Sequence, residues 1–281
     1  MRRVAFLALA LLGLASVGFA GDEMILVYPG KPGSHEAAKP TLQRFSEYLE
    51  QRAGWQKGSL HLDYFNDEAE AMKVVNGDNK PAYAIVSLAL YLKWKKEGIA
   101  ITVLAQSELD KKPTMQFHLL VPAGSRIEKF EDLKGGTVAS CYLEDRKFAS
   151  RVIFDGKLDM EHEVAVVDTK SISLALGACA NFKQLKNGKR IDAVLLDDDQ
   201  MEGFKEAKDF KKLHVAWSSK ELPTPPVVTF SNTNAGKAQA LLQILTSMSG
   251  SDQGREILKD LTSTGFRSPN MGAYAEVEKA Y

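Results

Sequence analysis

The sequence predicts an α/β protein of two lobes joined by two extended crossings. Three observations predict it. Short apolar runs alternate with helical patterns through residues 24–105, and the alternation restarts after Lys111-Lys112-Pro113. A proline cluster, Pro223-Thr224-Pro225-Pro226, marks a second break. The helical tail beyond it carries Ala238, Leu241, Leu245 and Met248 on one face, which needs a surface to cover, and the first lobe supplies one. Strands alternating with helices argue for parallel βαβ units. Two crossings between two such halves make a hinge, and a hinged cleft traps ligands.

The elements follow in order. Met24 to Tyr28 is a short apolar run ended by Pro29-Gly30, a buried strand and a turn. Ser34 caps a helix whose Ala38, Leu42, Phe45 and Leu49 are spaced four, three and four apart, and Gly54 stops it. Leu60 to Phe65 is a second strand, and Glu68 to Val75 a helix closed by Gly77. Ala82 to Val86 is a strand, Leu88 to Glu97 a helix and Ile99 to Ala105 a fourth strand. After the first crossing, Met115 to Val121 is extended and Thr137 to Cys141 is a strand. Lys147 to Phe154 is a helix, Val164 to Val167 a strand, Ser171 to Cys179 a helix and Ile191 to Leu196 a strand. A charged helix covers Asp199 to Lys208, and Leu213 to Trp217 and Val227 to Phe230 are extended. Helices over Ala235 to Met248, Ser251 to Leu261 and from Gly272 end the chain as given.

The first twenty residues read as a secretory signal. Arg2 and Arg3 precede the apolar run Val4 to Val17, and Gly18-Phe19-Ala20 offers small residues for cleavage. The run is too short to span a membrane. The expected division is a signal over 1–20, a first lobe over 21–115, a second lobe over 116–222, and a return crossing with C-terminal helices packed on the first lobe over 223–281. Without the signal, 34 basic side chains face 36 acidic ones, a balance that excludes dependence on nucleic acid or an anionic membrane surface. Cys141 and Cys179 are open between a disulfide and two buried thiols, because sequence does not give the geometry.

Four stretches carry a family resemblance. Phe130 to Ala139, reading Phe-Glu-Asp-Leu-Lys-Gly-Gly-Thr-Val-Ala, resembles the entry to the second lobe of type II periplasmic solute-binding proteins. Arg190-Ile191-Asp192-Ala193-Val194 resembles a strand of the same lobe, Pro223 to Pro226 the return crossing, and Gly254 to Phe266 the C-terminal helix and its exit. The order is most similar to the phosphate, phosphite and phosphonate subgroup that feeds ABC importers. The resemblance implies a Venus-flytrap fold, a periplasmic location, a small polar ligand that is phosphonate- or oxyanion-like, a partner permease in the inner membrane and a monomer. It implies no cofactor. One turn departs from the subgroup: its Ser/Thr/Gly-rich ligand turn reads here Tyr142-Leu143-Glu144-Asp145-Arg146. Carboxylates repel a doubly charged anion by about 1–4 kcal/mol per pair at 4 Å.

Candidate ligand contacts fall at strand ends and helix starts. They are Tyr28 and Ser34 in the first lobe, Ser87 and Tyr91 after the third strand, and Tyr142, Arg146, Thr169, Ser171 and Asp197 in the second. Helix capping accounts equally for Ser34, Thr169 and Ser171, core packing for Tyr91, and a solvated charge for Arg146. Asp197-Asp198-Asp199 sits at a helix start, where acids complement the dipole, and is read as capping rather than as a metal site. The five histidines show no zinc spacing, and no nucleophile elbow, P-loop or dinucleotide fingerprint is present. The chain is therefore read as a binding protein with no catalytic residue and no metal. A sensing module for a signalling partner is the alternative, with an enzyme on the same fold behind it.

Overall fold

Apolar runs become strands and amphipathic stretches become helices in a computed structural model that describes residues 22–29, 33–143, 145–168, 171–184, 188 and 190–281. The signal expected over 1–20 lies outside the described residues. The first stretch runs β1 (Asp22–Val27), α1 (His35–Ala53), β2 (Leu60–Phe65), α2 (Glu68–Val75), β3 (Tyr83–Val86), α3 (Leu88–Lys96) and β4 (Ile101–Glu108). The chain then crosses through β5 (Thr114–Met115) into β6 (Phe117–Pro122), β7 (Thr137–Ser140), α4 (Arg146–Phe148), β8 (Ala165–Asp168), α5 (Ile172–Ala180), β9 (Ala193–Asp197), α6 (Asp198–Phe204) and β10 (Leu213–Ser218). It returns through β11 (Leu222–Pro223) to β12 (Pro226–Phe230), α7 (Ala235–Ser247), α8 (Asp252–Asp260), β13 (Gly265–Arg267) and α9 (Met271–Ala280).

Among the described residues there are two large sheets, ordered β13-β4-β12-β3-β1-β2 and β10-β6-β9-β7-β8. The pairs β1–β2, β1–β3, β7–β8 and β7–β9 are parallel, as βαβ units require. The strands next to the crossings differ from the parallel expectation. β12 arrives from the other lobe and inserts antiparallel between β3 and β4, while β6 runs antiparallel to β9 and β10. The two crossings pair with each other, Leu222 opposite Met115 and Pro223 opposite Thr114. The hinge is thus a two-stranded ribbon instead of two independent linkers.

Local chemistry explains most boundaries. Ser34 Oγ accepts from the Ala37 amide at the start of α1, and Gly54 ends the helix at φ 66°, a left-handed value that glycine adopts without strain. Leu42, Phe45 and Leu49 bury one face of α1, each contributing about 1.5–3 kcal/mol. After α4 the helix widens into a π turn over Ala149–Ile153, so residues 147–154 are not the regular α-helix expected. α6 stops at Phe204, four residues before the expected end, where Gly203 weakens it.

The apolar core is continuous across the seam, from Ile25 and Val86 in the first lobe through Met115 and Leu222 in the hinge to Phe117 and Phe148 in the second. Separate clusters fill the outer side of each sheet, around Phe45 and Leu245 in one lobe and around Cys179 and Leu196 in the other. Both cysteines are buried and no disulfide joins them, which decides the alternative left open by sequence.

Candidate functional site

Among the described residues, three spaces lie between the lobes. A deep cavity of about 60 Å³ lies under the seam, flanked by open crevices of about 450 and 590 Å³. Water needs about 10–15 Å³ by this measure, so the deep cavity takes several waters or one small group.

Strand ends and helix starts build the cavity from both sides. Tyr28 follows β1, and Ser87 joins β3 to α3, accepting from the Leu90 amide at 3.2 Å while its own amide donates to Val27. The first turn of α3, Leu88 and Ala89, also lines the cavity. Amides in a first turn lack helical partners, and the positive end of the helix dipole lies there. From the second lobe come Tyr142, after β7, and Asp197, the last residue of β9. Tyr142 Oη donates to the Asp197 carboxylate, which also accepts from the Gln200 amide as the cap of α6. The Tyr142 ring meets Phe117 edge-on at 5.2 Å.

The electrostatics lean negative. Asp197 and Asp199 line the deep cavity, and among the described residues no lysine or arginine does. Burial raises the Tyr142 hydroxyl well above its ordinary pKa, and the charges of Asp197, Cys141 and Asp199 push it further. Burial also raises Tyr28, with Tyr64 and Asp199 adding to it. The field of Asp199 therefore reaches tyrosines of both lobes. The neighbouring crevice is mixed in charge: Lys93, Lys96, Arg146 and Lys147 share its walls with Glu68, Glu97, Asp145 and Glu161, beside Ser87 and Tyr142. Asp145, in the turn that departs from the subgroup, is engaged there by the Phe148 amide at 3.0 Å and by Tyr281 Oη at 2.6 Å.

Of the residues singled out by sequence, Tyr28, Ser87, Tyr142 and Asp197 meet at the deep cavity, and Arg146 joins them at the crevice. Three do not reach it. Ser34 is exposed and caps α1. Tyr91 is buried in the core, edge-on to Tyr274 at 5.6 Å, and bonds Glu278. Ser171 sits at the start of α5, away from all three spaces. Thr169 lies outside the described residues. Sequence reasoning missed Ser107, Thr262 and Ser263, which line the cavity from the end of β4 and the loop before β13. Their only sequence signal is the hydroxyl-rich run Thr262-Ser263-Thr264 beside a predicted helix end.

His118 lies close by, its Nε2 donating to Asp198 at 2.7 Å and its Nδ1 next to Ser218 Oγ at 2.8 Å. Asp159, Glu161 and His162 bring three ligand atoms together on a surface turn of the second lobe, away from the cleft's deep cavity.

Residues 33–274 match a family model described as the phosphonate periplasmic substrate-binding protein of ABC transporters. No curated protein matches the sequence. Solved structures show the same fold at low identity. A binding-protein component of a phosphonate ABC transporter from Pseudomonas aeruginosa is 16% identical, with TM-score 0.68 over 93% of this chain and 85% of its own. PhnD1 from Prochlorococcus marinus, in complex with methylphosphonate, is 13% identical, with TM-score 0.66 over 92% and 97%. A Xanthomonas citri protein bound to ATP is 14% identical, with TM-score 0.69 over 92% and 97%.

Proposed function

Since the chain belongs to the family of periplasmic substrate-binding proteins of phosphonate ABC transporters, we propose that it captures its solute in the deep cavity between Tyr28 and Ser87 on one side and Tyr142 and Asp197 on the other. Members of this family are transporter binding proteins and not enzymes; they bind small ligands and deliver them to a membrane permease. The observation that carries the site is the meeting of strand ends from both lobes on one small cavity beside a paired hinge. In this reading the first lobe comprises 21–115 with the tail 223–281, and the second comprises 116–222. The chain acts as a monomer after removal of residues 1–20.

The charge pattern supports a more specific ligand. A bare dianion in the deep cavity would face Asp197 and Asp199 with no basic side chain among the described residues that line it, at a cost of about 1–4 kcal/mol for each carboxylate near 4 Å. A solute with an apolar or positively charged body avoids that cost. Its acidic group then lies at the first turn of α3, towards Arg146 and Lys147 in the crevice. The ligand of this reading is a phosphonate or phosphate ester with such a body, not free phosphate.

A thermal-shift series on the mature protein tests this, using phosphate, methylphosphonate, 2-aminoethylphosphonate and phenylphosphonate. A ligand at 100 times its Kd adds about 2.7 kcal/mol to stability and raises the melting midpoint. The reading predicts larger shifts for the two bulkier phosphonates than for phosphate. Equal or larger shifts with phosphate would overturn the charge argument.

A further inference from the structure

The last residue described, Tyr281, touches both lobes at the rim of the cleft. Its backbone oxygen accepts from Lys96 Nζ of α3 at 3.0 Å and from Arg151 Nη1 of the second lobe at 2.7 Å. Its hydroxyl donates to Asp145, the cap of α4, at 2.6 Å. Lys96 also lies over the Tyr281 ring, 5.3 Å from its centroid. One buried residue is thereby gripped by a cation from each lobe and by a carboxylate of the second.

The helix that carries Tyr281 is fixed elsewhere to the first lobe and the hinge. Tyr91 of α3 bonds Glu278, and the Tyr91 ring meets Tyr274 edge-on. Tyr274 Oη donates to the backbone oxygen of Thr224 in the return crossing at 2.8 Å, and the Asn270 amide donates to Gln106 at 3.1 Å. α9 is therefore an arm rooted on the first lobe and the crossings, and it also packs on the second lobe's π turn around Arg151. Rotation about the β5–β11 ribbon would separate Asp145 and Arg151 from Tyr281.

We propose that Tyr281, Arg151 and Asp145 form a clasp that holds the lobes closed and so sets the open-to-closed population before any ligand arrives. The clasp lies outside the deep cavity, but Asp145 and Tyr281 line the crevice that also holds Arg146 and Lys147, so it is tested in the absence of ligand. It rests on the capture reading only for the use to which closure is put. Apparent affinity scales with the fraction of molecules already in the competent state, so a clasp raises affinity without a ligand contact.

Small-angle scattering of the unliganded protein tests the clasp with no probe ligand. The variants are R151A, Y281F and the pair R151A/Y281F. Arg151 is exposed, and Y281F keeps the ring, so circular dichroism should report unchanged folding. The wild type is expected to scatter as the closed form, and the double variant to shift to a larger radius of gyration, with each single variant between. An unchanged radius in the double variant overturns the clasp, as does a wild type already as extended as the variant. Either outcome leaves the thermal-shift test of ligand capture untouched.

Discussion

Tyr142 Oη donates to the carboxylate of Asp197, a residue 55 positions further along the chain, and the pair forms the second lobe's wall of the cleft. β7 and β9 are parallel neighbours, so their carboxyl ends bring the turn after one strand against the last residue of the other. A hydrogen bond to a charged group contributes about 1.5–3 kcal/mol. Tyr142→Phe keeps the ring against Phe117 and removes only the donor. Urea unfolding should show a loss of about 1.5–3 kcal/mol. A change below about 0.5 kcal/mol, the level of an ordinary surface substitution, would show that the bond does not brace the wall.

Gly254, in the first turn of α8, has no room for a side chain. A Cβ there would run into the backbone oxygen of Met248, and Ser251 Oγ lies 2.8 Å away. Gly254→Ala should therefore destabilise the chain by about 3 kcal/mol or more, because backbone cannot yield as a side-chain tip can. Thermal melts of the variant at equal concentration check it. A melt matching wild type would mean that α8 shifts freely on the core.

Acid should weaken the fold through Asp198. Burial pushes its carboxyl up, but hydrogen bonds from His118 and the Gln116 amide, with the charges of His118 and Lys112, outweigh this and leave it below the ordinary value of 3.8. A carboxyl lowered in the folded state adds stability above its unfolded pKa, and that stability disappears as pH falls through the folded value. Asp198→Asn should thus be less stable than wild type near neutral pH and converge on it as the pH falls below the folded-state value. Urea midpoints measured across that range decide the matter: a constant offset at every pH would assign the loss to packing.

Reducing agents should leave the melting midpoint unchanged. Cys141 lies at the crevice with Gln200 Nε2 at 3.0 Å from its sulfur, while Cys179 is buried in α5. Burial, with Asp192 adding to it and Arg190 opposing, pushes the Cys179 thiol up to about 12, which makes it a poor nucleophile. Thiol titration of the unfolded, unreduced protein should find two thiols per chain. A lower midpoint with dithiothreitol would reveal a disulfide.

Much of the fold was legible because it is written locally. Ser34 and Gly54 bracket α1, and the apolar run Met24 to Val27 within β1 and the run of β3 read as buried strands. The insertion of β12 between β3 and β4 was not legible, since it depends on a segment that returns from the other lobe. Nor was β13, whose three residues are too few to carry a period. The site divides in the same way. Tyr28, Ser87, Tyr142 and Asp197 end strands, and strand ends face the cleft in this class of fold. Tyr91 shares a helical face with Leu88 and Leu92, and only its distant partner Glu278 shows that this face is core. Ser107 and Ser263 reach the cavity through tertiary approach alone, the Ser107 hydroxyl donating to the Pro225 backbone oxygen in the crossing and the Ser263 hydroxyl to that of Glu108.

The central claim is that a solute is held between the lobes by residues from both. Calorimetric titration of 2-aminoethylphosphonate and phenylphosphonate into the mature wild type, Ser87→Ala and Asp197→Asn tests it most directly. The account predicts one site per chain for at least one of them, with a Kd between about 1 nM and 1 μM, and a tenfold or greater loss, about 1.4 kcal/mol, in Ser87→Ala for either ligand and in Asp197→Asn for 2-aminoethylphosphonate, whose ammonium Asp197 would pair. Binding that survives both substitutions unchanged, or no binding of either phosphonate by the wild type, would contradict it.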